Sequence, residues 1–397
     1  MSTAAIGACA HEPIVQTLVD LIGAHGWAED FEQAVASVAA QRVDSLAEVD
    51  CLERYLRWLD GLVLWAPRES GDSQLVHDKL VEFHFFVEQP SLRALQSPIE
   101  PGIEGAELTP LSQWIVAFAR AWGAYLDTPA SAKHVASFRT DPLFRWDDYM
   151  PPPSGYLTFN QFFARHVKPG KRPIEDLQDD AALVAPADAN FVGQWQVGPD
   201  STIVVQAAKL SLKGMRWSLA QLLEGSPYAG AFAGGVATHS ALRTFDYHRF
   251  HAPLAGEVLE ARVIRGQAWL GVEVVEEREA GRARRRLEAQ EGTGYQFVQS
   301  RGLIVLRTNA GLVACLPVGM AQVSSVVLTA EVGARLRKGE ELGYFQFGGS
   351  DFVMLFEAAC GVQLSGIRDQ HLMQGQRAGT CRGSPDRQAP RGRPEGT

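Results

Sequence analysis

Three short stretches hold side chains whose types and spacing could do chemistry together. Asp246-Tyr247-His248-Arg249-Phe250-His251-Ala252-Pro253 is the densest polar cluster in the second half of the chain. Its two histidines, three residues apart, read either as metal ligands or as acid/base groups. No cluster of further ligand types stands near them, and histidine is the side chain whose ordinary pKa lies near neutrality. Upstream, the apolar run Leu183-Val184-Ala185-Pro186-Ala187 ends in a single acid, Asp188. An aspartate at a strand end is usually a turn former. It is also where an acid sits to orient a histidine. Downstream, Phe345-Gln346-Phe347-Gly348-Gly349-Ser350-Asp351-Phe352 interrupts an apolar run with two glycines and a serine. Successive glycines free the backbone and clear side chains from around the Gly349 carbonyl, which places Ser350 Oγ well to approach the carbonyl carbon before it. The same pattern is also that of a plain hairpin turn.

The chain that must position these groups is an ordinary globular one. Its 397 residues, 46% hydrophobic and 21% charged, suffice for two or three domains. A net charge of −9 speaks against a nucleic-acid surface or a generally basic membrane-binding face. Cys9, Cys51, Cys315, Cys360 and Cys381 are odd in number and form no Cys-x-x-Cys pair. That suits a reducing compartment and speaks against a disulfide framework or a cysteine zinc site. The N-terminus lacks a basic stretch followed by a sustained apolar one, and no run approaches the length of a membrane span. These features predict a soluble, cytoplasmic protein without a transmembrane anchor.

Residues 1–150 read as a helical domain. Ser45-Leu46-Ala47-Glu48 has the form of a capping box, with Leu46, Val49, Leu52, Leu56, Leu59 and Val63 at helical spacing. Thr109-Pro110 opens another helix whose apolar face is Leu111, Ile115, Phe118, Trp122 and Tyr125. His77 and His84 share a helical segment and read as packed or solvated side chains rather than a metal pair. Three prolines and a glycine at 151–155 end the helical part, and Thr158 with Gln161 caps a short helix after it. From about 183 short apolar runs bounded by glycine and proline predict strands, so the fold class is α+β with a β-rich domain over 151–361. The charged segment 276–291 reads as a solvated loop, and residues 362–397, poor in apolar periodicity, as a disordered tail.

Taken in register, Pro186-Ala187-Asp188, Tyr247-His248-Arg249-Phe250-His251-Ala252-Pro253 and Gly348-Gly349-Ser350 resemble the signature of the phosphatidylserine decarboxylase family. Supporting stretches are Asn160-Gln161-Phe162-Phe163-Ala164-Arg165, Arg172-Pro173-Ile174, Pro317 to Ser325 and Lys338 to Phe345, so the likeness covers about 155 to 361. The Gly-Gly-Ser form and the long helical N-terminal region look more like the soluble branch that includes fungal tryptophan decarboxylase. Asp351 stands where that branch leads one to expect serine, and Ala189 where glycine usually follows the aspartate.

The resemblance implies a self-made cofactor. Removing an α-carboxylate leaves a carbanion, and a pyruvoyl ketone bound to the substrate amine as a Schiff base is the electron sink that takes it up. Such a group would come from Ser350 by cleavage between Gly349 and Ser350, with the two chains staying associated. By the same carry-over His251 is the base, Asp188 fixes its tautomer and His248 is the acid that reprotonates the carbanion. The resemblance favours a free aromatic amino acid such as L-tryptophan as substrate, with Trp195, Trp217 and Trp269 as pocket or core residues. Phosphatidylserine is the alternative substrate, and an uncleaved binding module the alternative of another class.

Overall fold

The computed structural model describes residues 10–71, 74–204, 215–279, 282–289, 294–319, 326–348 and 350–383. Its first part is helical: α1 (Pro13–His25), α2 (Ala28–Ala40), α3 (Leu52–Val63), α4 (Leu75–Val87) and α5 (Pro110–Leu126), with the short α6 (Phe159–Phe163) after the proline run. Thr109 caps α5 as its sequence predicts, accepting from the Ser112 amide at 3.4 Å, and Leu111, Ile115, Phe118 and Trp122 are buried. Thr158 likewise accepts from the Gln161 amide at 3.1 Å, and the Gln161 side chain returns to the Leu157 amide at 2.8 Å. The Ser45–Glu48 box, by contrast, opens no helix. Asp44–Leu46 makes a single 3-10 turn, and α3 begins only at Leu52 behind Cys51. Leu46 and Val49 are buried all the same, so their spacing reflects a shared core and not a continuous helix.

The second part is built from β1 (Ala182–Val184), β2 (Ala189–Gln196), β3 (Val236–Leu242), β4 (Arg249–His251), β5 (Gly256–Ile264), β6 (Val272–Glu279), β7 (Arg282–Ala289) and β8 (Arg301–Thr308). It continues with β9 (Leu312–Gly319), β10 (Val326–Leu328), β11 (Arg335–Leu336), β12 (Glu341–Phe345), β13 (Ser350–Phe356), β14 (Val362–Leu364), β15 (His371–Leu372) and β16 (Arg377–Cys381). Among the described residues an eight-stranded antiparallel sheet runs β11-β5-β8-β9-β13-β3-β2-β15. Two three-stranded sheets are β10-β12-β4 and β14-β16-β1. The fold class is α+β.

Period-two alternation splits the large sheet between two cores. Phe352, Met354 and Phe356 of β13 join an apolar cluster shared with the N-terminal helices, whereas Val353 and Leu355 join one built around Trp217, Leu219, Leu222 and Phe297. The first cluster is continuous from Val15 on α1 to Phe356 on β13.

Two expectations are corrected here. The charged segment after Val275 is a hairpin, β6 with β7, and not a loop. Arg285 pairs across it with Glu276 at 2.9 Å and donates to the Gln41 carbonyl at 3.0 Å, while Val272, Val274 and Leu287 face the helical core. The tail expected to be disordered from 362 contains β14, β15 and β16. These strands are too short to show a period of their own; pairing with earlier strands fixes them, as in Thr380↔Ala182 and Leu372↔Ala189. Residues 384–397 lie outside the described ones.

Candidate active site

Ser350 is the first residue of β13, paired with Leu242 of β3 and Gly319 of β9. The side chain is buried, and Oγ has no hydrogen-bond partner among the described residues. A buried hydroxyl left unpaired is unfavourable and calls for an explanation. Gly348, two residues earlier, has φ 140°, a conformation that favours glycine. Gly349 itself lies outside the described residues. Phe347 holds the approach to the serine. Its amide donates to Asn160 Oδ1 at 3.1 Å, and its ring meets Trp122, Phe159 and Phe163 at centroid distances of 5.3, 5.4 and 5.6 Å. Asn160 also donates to Asp127 Oδ1 at 3.0 Å and to the Gly123 carbonyl at 3.2 Å, both on or next to α5. The helical region therefore grips the chain just before Ser350.

The histidine segment forms β4 and the turn before it. Arg249 fastens it on two sides, donating to the Ala164 carbonyl at 2.9 Å and pairing with Glu341 of β12 at 2.8 Å. Arg165 holds the turn through the Phe245 and Asp246 carbonyls at 2.8 and 3.0 Å and lies over the Tyr149 ring at 4.1 Å. His248 stacks on Phe163 at 3.9 Å, fully buried, and its ring nitrogens have no hydrogen-bond partner among the described residues. Burial, with the Arg165 charge in support, holds its pKa well below the usual 6.5.

His251 is fixed from three directions. Its amide donates to the Pro186 carbonyl at 2.8 Å, Nδ1 lies 2.9 Å from the Gly339 carbonyl and Nε2 lies 3.1 Å from the Tyr247 hydroxyl. A carbonyl only accepts, so Nδ1 carries the proton and the Nε2 lone pair accepts from Tyr247. Burial lowers the His251 pKa, opposed by the Gly339 contact and the charge of Glu341, and burial raises that of Tyr247. Imidazole is therefore neutral and phenol protonated near pH 7. Gly339 has φ 82°, and a Cβ there would lie 2.4 Å from Ile174 Cδ1, so only glycine fits. Next to it, Lys338 Nζ donates to the Asp176, Asp179 and Ala182 carbonyls at 2.6, 2.8 and 3.1 Å.

Asp188 is buried at the end of the β1 segment, but its partners differ from the expected one. Arg172 donates to it through Nε at 2.9 Å and Nη2 at 2.6 Å, and the Gln374 amide donates at 2.8 Å. The contact that fixes the His251 tautomer is made by the Gly339 carbonyl and not by Asp188. Burial alone would lower the Arg172 pKa; hydrogen bonding and attraction to Asp188 raise it instead. The acid is thus one half of a buried ion pair. Beside it opens a cleft of about 240 Å³ bordered by Arg145, Tyr149, Asn190, Arg243, Asp246 and His371. Among the described residues no group of three His, Cys, Asp or Glu side chains could hold a metal ion.

The model of the phosphatidylserine decarboxylase family matches residues 159–380, more than half of the chain. The protein belongs to the phosphatidylserine decarboxylase family. This is a family of pyruvoyl-dependent carboxy-lyases made as proenzymes, whose cofactor arises by self-cleavage. A buried, unpartnered Ser350 hydroxyl behind glycine suits the precursor of such a group. The family segment is 32% identical over 239 residues to phosphatidylserine decarboxylase proenzyme 3 of Schizosaccharomyces pombe, covering 59% of this chain and 22% of that protein. It is 27% identical over 247 residues to the phosphatidylserine decarboxylase proenzyme of Fusobacterium nucleatum, covering 62% and 73%. Decarboxylase iboD of Amanita muscaria is 28% identical over 266 residues, covering 59% and 74%. The chain thus spans about a fifth of the Schizosaccharomyces relative and about three quarters of the other two. Among the described residues no helix is long and apolar enough to cross a membrane.

The family motifs contained Asn160, Arg172 and Gly339, but no position in them announces that these three hold Phe347, Asp188 and His251. Asp351 stood out in the sequence as a departure from serine, but its partners did not. An acid inside a strand, on the face opposite the serine, is buried only with partners. They are His239, Tyr295 and Gln296.

Proposed function

We propose that the protein is a self-cleaving decarboxylase of an α-amino acid, free or carried as the head of a larger molecule. The observation that carries this is the buried Ser350 hydroxyl, unpartnered, at the start of a central strand behind glycine. Ser350 Oγ attacks the Gly349 carbonyl carbon and the C–N bond breaks, turning amide to ester. Loss of the Ser350 Cα proton and of the ester oxygen from Cβ then cuts the chain. Water hydrolyses the resulting dehydroalanine to pyruvoyl and releases ammonia.

His251 is the base proposed for these proton transfers. Its neutral Nε2 faces the Tyr247 hydroxyl, so a proton reaches it directly when that contact opens or through Tyr247. Asp188 acts by holding Arg172 and the Gln374 turn against the segment that carries Pro186. The pyruvoyl group supplies the electron sink for the carbanion formed as CO2 leaves. His248, held neutral by burial and stacked on Phe163, is proposed to return the proton to carbon. After cleavage the chain that begins at 350 remains held, because β13 is hydrogen bonded on both sides and β16 pairs with β1.

An aromatic amino acid finds little support among the tryptophans. Trp217 is stacked on Phe297 at 4.9 Å and Trp269 packs beside Tyr295 at 5.6 Å, both buried. The half-buried Trp195 borders a cavity with His239 and Gln296 and packs on the cluster of Val353 and Leu355, across the sheet from Ser350. The cleft beside Asp188 presents charge and no indole.

Intact mass tests the reading. Wild-type protein should separate into chains ending at 349 and beginning at 350, the latter lacking a free α-amine, and Ser350→Ala should stay whole. A wild-type chain that remains one species after long incubation makes this an uncleaved binding module. Release of CO2 from L-tryptophan, L-tyrosine, L-phenylalanine, L-serine and micellar phosphatidylserine ranks the substrates.

A further inference from the structure

We propose that the cleft beside Asp188 binds an anionic substituent of the substrate, carboxylate or phosphate, through the guanidinium groups of Arg145 and Arg243. The inference rests on the decarboxylase reading for its location and deepens it by naming what the amino-acid head carries.

The cleft lies at the end of the strands that hold Ser350. Arg243 follows directly on Leu242, the cross-strand partner of Ser350, and Asn190 pairs with Ala241 on the same strand. Its volume of about 240 Å³ admits a small polar group. The acids on its wall are already engaged. Asp188 is neutralised by Arg172, and Asp246 accepts from the Arg243 amide at 2.8 Å and contacts His371 Nε2 at 2.9 Å. The arginine side chains are not so engaged. Among the described residues neither guanidinium has a carboxylate within ion-pair distance, and Arg145 donates to the Met373 sulfur at 3.2 Å. Arg145, exposed and with a φ of 45° in the left-handed region, borders the cleft from between two short 3-10 turns.

The free charge of this wall is therefore positive, from two planar donors suited to forked hydrogen bonding with carboxylate or phosphate oxygens. Tyr149, at the base of the wall, keeps its proton because burial raises its pKa, so it adds no negative charge. Guanidinium groups paired with the departing carboxylate would stabilise the ground state and oppose loss of CO2. An anion on the far substituent would orient the head without that penalty.

Calorimetric binding to wild-type protein is the test, because it needs no turnover. Probes are glycerophospho-L-serine, O-phospho-L-serine, L-aspartate, L-serine and L-tryptophan, with Arg145→Gln and Arg243→Gln checked for fold by circular dichroism. The expected result is that anionic probes bind at least tenfold more tightly than L-serine and L-tryptophan, and that each substitution removes roughly tenfold of that preference. Preference for the phosphate probes assigns a phosphoryl-bearing substrate, and preference for L-aspartate a side-chain carboxylate; both support the site. Equal binding of charged and neutral probes, or binding indifferent to both substitutions, overturns it. Anion binding in a chain that never cleaves would leave the subsite standing and remove the decarboxylase. Cleavage and CO2 release with no arginine dependence would do the reverse.

Discussion

His239 Nε2 and Asp351 Oδ2 lie 2.8 Å apart, buried on the face of the large sheet opposite Ser350. Tyr295 OH and Gln296 Nε2 donate to the same carboxylate oxygen at 2.8 and 2.9 Å. The residue after the processing serine is therefore anchored by its side chain to β3 and to the segment that follows β7. Asp351 stands where the resemblance leads one to expect serine, and it comes with its own partners.

His239→Ala should destabilise the uncleaved protein by about 3 kcal/mol, since removing one partner strands a buried charge. Asp351→Asn keeps an acceptor for Tyr295 and should be milder. Urea unfolding of both in a Ser350→Ala background, where the chain stays whole, reads the order. Equal losses would mean that charge adds nothing to these hydrogen bonds.

Gly339→Ala should slow self-cleavage by roughly tenfold to a hundredfold, because it displaces the carbonyl that orients His251. The clash is with Ile174, so Ile174→Ala in the same chain should restore part of the rate. Time courses on denaturing gels measure both. A single variant that cleaves as fast as wild type would free His251 from this carbonyl.

Asp188→Asn and Arg172→Gln should behave as one unit. Each leaves the other's charge buried, so a double-mutant cycle in the uncleaved background should give a coupling of about 2 kcal/mol. Both should slow cleavage alike. Slowing by Asp188→Asn alone would return the acid to a direct role at His251.

Stability should fall as the solution is acidified. Burial lowers the pKa of His84 to about 3 and that of His248 well below 6.5, so the unfolded chain takes up protons that the folded one refuses. The stabilisation is complete above the unfolded pKa and shrinks as pH falls through it, by about 2 kcal/mol for His84 at pH 5, with His248 adding in the same direction. Urea midpoints from pH 7.5 to 4.5 follow this, and His84→Leu should flatten the slope. An unchanged slope would place the acid sensitivity elsewhere.

Much of this protein was legible in residue order. Local chemistry set the Thr109 and Thr158 caps, and apolar spacing marked the faces of α5 and the core strands. Three motifs in register named Asp188, His248, His251 and Ser350 as candidates. Tertiary structure decided who touches whom. Whether Asp188 meets a histidine or an arginine depends on how the Arg172 segment folds over β1. The partner of His251 depends on a glycine 88 residues away. The strands after Val362 exist because β1 and β2 offer them edges. A period in sequence reports which side of an element is buried. It carries no record of the element across the gap, and at this site those distant partners set each proton's position and each charge's compensation.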